Sequence, residues 1–138
     1  MTRIVSACLL GIRCRYDDER RPNEKVIKLL ETEVLIPVCP EQLGGLPTPR
    51  TPSEQRGEKV VTRNGKDVTE YFIRGAREVL RIAQLYPIGE AILKQKSPSC
   101  GCGQIYDGSF TGKLINGYGV TTALLKSQGI KVISEEEL

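Results

Sequence analysis

Three short apolar runs, at residues 4–10, 34–38 and 88–93, constrain this chain more than any other feature, and a fourth at 130–133 closes it. Each is far too short to cross a bilayer but has the length of a strand buried on both faces. Between the first two, Pro22 opens a stretch with Val26, Ile27, Leu29 and Leu30 on one side, as an amphipathic helix requires. Strand, helix, strand within about 35 residues implies a parallel pair. A second helix is expected after a cap at Asp67 or Thr69, with Tyr71, Phe72, Ala76, Val79, Leu80 and Ala83 on its apolar face. A third, led by glycine, is expected over 117–127 and closed by Gly129. Asn64-Gly65 predicts a small β-hairpin pairing 58–63 with 66–68. Residues 40–57 hold four prolines and three glycines and read as a long irregular, functional loop; 135–138 read as a solvated tail. The expected fold is α/β: one domain over 1–138, an open, mostly parallel Rossmann-like sheet with helices on both faces, plus the hairpin.

Composition then limits the chemistry. The chain has 138 residues, a net charge of only +3, five cysteines and no histidine. The charge is too balanced to predict nucleic-acid binding from electrostatics alone. Without histidine there is no Ser-His or Cys-His nucleophile pair and no His-containing zinc site. No segment has the organisation of a signal peptide or a membrane span, so a cytoplasmic location is expected. Thiols there stay reduced, and the five cysteines read as free, metal-bound or redox-active.

Three of them fall at equivalent places: Cys8 late in the first expected strand, Cys39 just after the second, and Cys100 in the loop after the third. Loops beyond the carboxyl ends of parallel strands converge on one crevice, so these thiols are expected to meet there. Three thiolates without histidine suit a soft metal or an iron–sulfur cluster. Structural zinc takes a fourth thiol, from Cys14 or Cys102. Small buried hydrophobes at strand ends remain an equal reading for Cys8 and Cys39.

Several local strings, in order along almost the whole chain, carry a resemblance. They are Ser6-Ala7-Cys8-Leu9-Leu10-Gly11 with Cys14-Arg15-Tyr16-Asp17, then Pro37-Val38-Cys39-Pro40-Glu41 with Gly44-Gly45-Leu46 and Pro49-Arg50. Gly65-Lys66-Asp67-Val68-Thr69, Ser97-Pro98-Ser99-Cys100-Gly101, Ile105-Tyr106-Asp107-Gly108 and Gly119-Val120-Thr121-Thr122-Ala123-Leu124-Leu125 follow. Together they resemble the thiouracil desulfurase family, long catalogued as a domain of unknown function. Asp18 departs from the glycine common there after Tyr-Asp, and Cys102 is not part of the family pattern.

The resemblance implies a 4Fe-4S cluster on Cys8, Cys39 and Cys100 with one iron left open, an acid/base glutamate at Glu41 and a helper serine at Ser97. It implies a small thiopyrimidine substrate, 2- or 4-thiouracil or a thiouridine derivative, with a nucleotide or RNA as further candidates. The reaction exchanges C=S for C=O with water and releases sulfide. The residue types suit this: an open iron polarises sulfur, and a carboxylate replaces the missing histidine as proton carrier. Like-charge repulsion from the thiolates is expected to favour the neutral form of Glu41. A non-catalytic iron–sulfur or zinc protein is the alternative.

Overall fold

The computed structural model describes residues 1–138. Its centre is a four-stranded, fully parallel sheet of β1 (Thr2–Ser6), β2 (Val34–Val38), β5 (Glu90–Leu93) and β8 (Lys131–Ser134), in the order β2-β1-β5-β8. Strand alternation sends Ile4, Val38, Ala91, Leu93 and Val132 to one face, where Val79 and Ala83 of α3 (Thr69–Leu85) and Leu125 of α4 (Val120–Ser127) cover them. Val5, Leu35 and Ile92 point to the other face and meet Val26 of α1 (Glu24–Leu29) and Leu9. Burying each such side chain contributes about 1.5–3 kcal/mol, so both faces hold the sheet. Helices on both faces and a parallel open sheet are as the sequence predicts.

The first strand is shorter than expected. It ends at Ser6, and Ala7–Leu10 forms a 3-10 turn stopped by Gly11, whose φ of 83° only glycine adopts freely. Cys8 therefore lies in a turn beyond the strand, which frees its side chain from the pleat.

The hairpin is also displaced. β3 (Ser53–Arg56) pairs with β4 (Lys59–Thr62) across Gly57-Glu58, with φ +63° at Gly57. Asn64-Gly65 does reverse the chain, but it supports only an isolated Val61–Asp67 bridge. A second hairpin joins β6 (Cys102–Tyr106) to β7 (Leu114–Tyr118); it takes up Gly117 and Tyr118, so the glycine-led helix expected over 117–127 begins at Val120 and runs to Ser127 as α4. Gly117 serves cross-strand packing, since a Cβ there would sit 2.9 Å from the Ile105 side chain. The tail is only partly solvated: Glu135–Glu137 forms a 3-10 turn with a Ser134–Glu137 capping box, and Glu135 is buried while Glu136 and Glu137 are exposed.

Within the expected loop, Pro40–Leu43 forms the short helix α2. It crosses α3 at a pair of glycines. A Cβ on Gly75 would lie 1.8 Å from the Pro40 carbonyl oxygen, and one on Gly44 would lie 1.9 Å from that of Tyr71. Gly75→Ala gains about 1 kcal/mol in helix propensity but forces α2 off α3. A net loss of about 2 kcal/mol is expected as a lowered urea midpoint; an unchanged or raised midpoint would refute this account of the crossing.

Candidate active site

Register brings the strand ends into line: Ser6 lies opposite Val38, and Leu93 opposite Ser134. The residues just beyond, Cys8, Cys39, Lys94 and Glu135, emerge at one edge. Strand order reverses between β1 and β5, the switch point where open parallel sheets bind ligands. A cavity of about 410 Å3 opens there, and Cys8, Cys14, Cys39, Glu41, Ser97 and Cys100 all line it.

Different local devices place the thiols. Gly11 closes the turn carrying Cys8 by donating its N–H to the Cys8 carbonyl at 3.1 Å. Cys39 is the N-cap of α2, fixed by Pro40 at the first helical position. Cys100 sits in a loop organised by Ser97, whose hydroxyl accepts the N–H groups of Ser99 and Cys100, both at 3.1 Å. The start of α4 clamps that loop from behind. Thr122 Oγ1 donates to the Cys100 carbonyl at 2.9 Å, and Gly119 passes so close that a Cβ would lie 2.3 Å from the Ser99 carbonyl carbon.

The sulfurs differ in character. Cys14 lies within hydrogen-bonding reach of Cys39 and Cys8. Its proton, shared with those sulfurs in a buried setting, is held far more tightly than in an ordinary thiol. Accepting from Cys14 lowers Cys39 to about 7, and lowers Cys8 as well, with Arg15 and Lys94 adding smaller favourable fields at Cys8. Burial pushes Cys100 up to about 12, with the Ser6 hydroxyl working against it. The thiolate is the reactive form. In metal-free protein, iodoacetamide is therefore expected to modify Cys39 with a rate rising through pH about 7, while Cys100 stays inert far into the alkaline range. Peptide mapping of the earliest adducts checks the order, and Cys100 labelled first would contradict it.

Glu41, in the first turn of α2, has both oxygens engaged. Arg50 Nε donates to Oε1 at 3.0 Å, and Ser99 Oγ donates to Oε2 at 2.9 Å. The Arg50 side chain is nearly buried and also donates to the carbonyls of Cys14 (2.9 Å) and Pro47 (3.1 Å) and to Thr48 Oγ1 (3.0 Å). Arg50 is the counter-charge beside Glu41, a partner that the isolated Cys39-Pro40-Glu41 string does not reveal. Arg50 and Ser99 lie in the Pro49-Arg50 and Ser97-Pro98-Ser99-Cys100-Gly101 strings, and their duties toward Glu41 emerge only in the folded chain. The signal was there in the chemistry: an arginine in a Pro-rich loop is the natural counter-charge for a cavity rich in thiols and carboxylate.

Lys94 also faces the cavity and pairs with Glu135 at 2.9 Å. Of the arginines in the 13–21 loop, Arg15 lines the cavity, held by Asp17 at 3.1 Å. Asp18 takes φ 59°, the conformation glycine favours, which aspartate tolerates better than most residues. Cys102 is turned away: its sulfur hydrogen-bonds the Val132 carbonyl at 3.3 Å, and it does not line the cavity. It is in no position to serve as a fourth ligand. No three Cys, Asp or Glu side chains converge tightly enough to hold a single metal ion. No helix is long and apolar enough to cross a membrane.

The family model described as 2-thiouracil desulfurase matches residues 4–137. The chain belongs to the 2-thiouracil desulfurase family. The match spans every strand of the sheet and all the thiols around the cavity. This family member is also 47% identical over 145 residues to the uncharacterized protein YbbK of Bacillus subtilis (strain 168), covering 98% of this chain and 96% of that protein. It shares its fold with the solved structure of TudS, described as a 4Fe-4S-dependent thiouracil desulfidase. The TM-score is 0.93 at 47% identity, covering 99% of this chain and 92% of that one.

Proposed function

We propose that this protein is an iron–sulfur-dependent desulfidase that replaces the thiocarbonyl sulfur of thiolated pyrimidines with oxygen from water. The observation that carries the reading is one cavity, at the sheet's switch point, lined by Cys8, Cys39 and Cys100 together with the half-buried Glu41. Whole-length similarity to TudS supports it.

The donor set fits a 4Fe-4S cluster. Three soft thiols come from three separate segments, no histidine competes, and Arg15, Lys94 and Arg50 lie close enough to offset their charge. Cys8, Cys39 and Cys100 would hold the cluster. When bound, such a cluster supplies an open iron, the Lewis acid that polarises the sulfur of C=S.

The protein's own residues do the rest. Glu41 takes a proton from the attacking water and returns it to the departing sulfide. Thiocarbonyl and water thus become carbonyl and hydrogen sulfide, with no net redox change. Arg50 and Ser99 hold the Glu41 oxygens in fixed directions. The substrate is 2- or 4-thiouracil or a thiouridine derivative. Lys94 and Arg15 line the cavity and favour hydrosulfide, the anion that hydrogen sulfide gives on losing a proton.

Anaerobic reconstitution is expected to load about four iron and four sulfide per chain. The loaded protein is expected to convert 2- or 4-thiouracil to uracil with equimolar sulfide release. Full loading without release of sulfide from either base or their nucleosides would sink the enzyme reading in favour of a non-catalytic iron–sulfur protein.

A further inference from the structure

The hydroxyls beside Glu41 obey a proton count that assigns them different duties. A serine hydroxyl has one proton to give and two lone pairs to receive. Both lone pairs of Ser97 Oγ are used by the backbone N–H groups of Ser99 and Cys100. Pro98 between them has no N–H, so the turn directs those two amides, and no nearer one, onto Ser97. Ser97 therefore cannot accept from Ser99, and the 2.9 Å contact between the hydroxyls runs from Ser97 to Ser99. Ser99 must send its own proton onward. Two acceptors are in reach, Glu41 Oε2 at 2.9 Å and Cys100 Sγ at 3.5 Å. The shorter, charge-assisted bond to the carboxylate is the stronger.

We infer that Ser99 is the positioning residue for Glu41, and that Ser97 acts on the carboxylate only through Ser99. This rests on the acid/base role proposed above for Glu41 and changes the duty implied for Ser97. Ser97 organises the Cys100 loop and orients a neighbour. Ser99 is 1% exposed, so its hydroxyl meets no bulk solvent in the intact site. The two segments it joins are anchored independently, α2 by the Gly44–Gly75 crossing and the 97–101 loop by Gly119 and Thr122. The Ser99–Glu41 bond thus fixes the carboxylate relative to the loop that carries Cys100, across 58 residues of sequence.

The test uses reconstituted protein in a double-mutant cycle of Ser99→Ala with Glu41→Gln. Ser99→Ala is expected to lower kcat for thiouracil desulfidation roughly tenfold, with KM within about twofold, as for one hydrogen bond that orients a reacting group. In the Glu41→Gln background, the same change is expected to alter the residual rate by less than about twofold. Iron and sulfide content should stay at the wild-type level. Crystal structures of the loaded wild type and Ser99→Ala should show the Glu41 carboxylate rotated away from residue 99 in the variant. An unchanged kcat in Ser99→Ala, an equal fall in both backgrounds, or loss of cluster in parallel with the rate would each overturn the inference. Wild-type protein that loads but releases no sulfide would instead refute the proposed function, and the Glu41 orientation in the two structures would still decide this one.

Discussion

Glu41→Gln is expected to lower kcat by about 10²–10³-fold while leaving the cluster in place. The amide has the shape of the carboxylate and can still accept from Arg50, but it cannot take a proton from water. Nothing nearby can replace it. There is no histidine in the chain, and Glu54, the other glutamate lining the cavity, accepts from the amides of Gly108 and Phe110. The fold should survive, because Arg50 keeps the Cys14 and Pro47 carbonyls and Thr48 as partners when its charged acceptor is lost. Sulfide release measured beside iron content separates the two effects. A variant that turns over at the wild-type rate would remove Glu41 from the mechanism.

Cysteine replacements are expected to divide into two groups. Cys8→Ala, Cys39→Ala and Cys100→Ala should each cut iron content and turnover to below about a tenth of wild type, since a three-thiolate cluster has no spare ligand. Cys102→Ala should leave both unchanged, because its sulfur points at Val132 and away from the cavity. Cys14→Ala should retain iron, as its thiol serves Cys39 and Cys8 as a hydrogen-bond donor. Iron and acid-labile sulfide assays after anaerobic reconstitution give the comparison. Full iron retention in Cys39→Ala, or loss of iron in Cys102→Ala, would show the ligand set to be wrong.

The sheet was legible because its central strands are buried on both faces, which leaves unbroken apolar runs such as Ala91-Ile92-Leu93. The β6–β7 hairpin was not. Its strands are largely exposed and carry Gly103, Gln104, Asn116 and Gly117, so they show neither an apolar run nor strict alternation. The burial of Glu135 was hidden for a related reason: it reads as a solvated charge until Lys94 and the Gln95 backbone amide are brought to it by tertiary structure. In the site, the thiols and Glu41 could be placed from strand ends and local strings. Arg50 and Ser99 could not be given duties, because those depend on how two segments far apart in sequence face one another. The asymmetry is physical. Element identity is written in local periodicity, whereas hydrogen-bond direction depends on which acceptors are already occupied.

The parallel order of the sheet also sets a sequence of events in time. No two of the thiols at Cys8, Cys39 and Cys100 come from one hairpin or one short motif; they adjoin only after β1 has gained both β2 and β5 as neighbours. Contacts of such wide sequence separation form late and slowly. On the proposed ligand set, maturation would run shape first, inorganic cargo second, unlike a chain whose ligands lie within a few residues and can nucleate folding around a metal. A protein built this way needs an empty fold that is stable enough to wait.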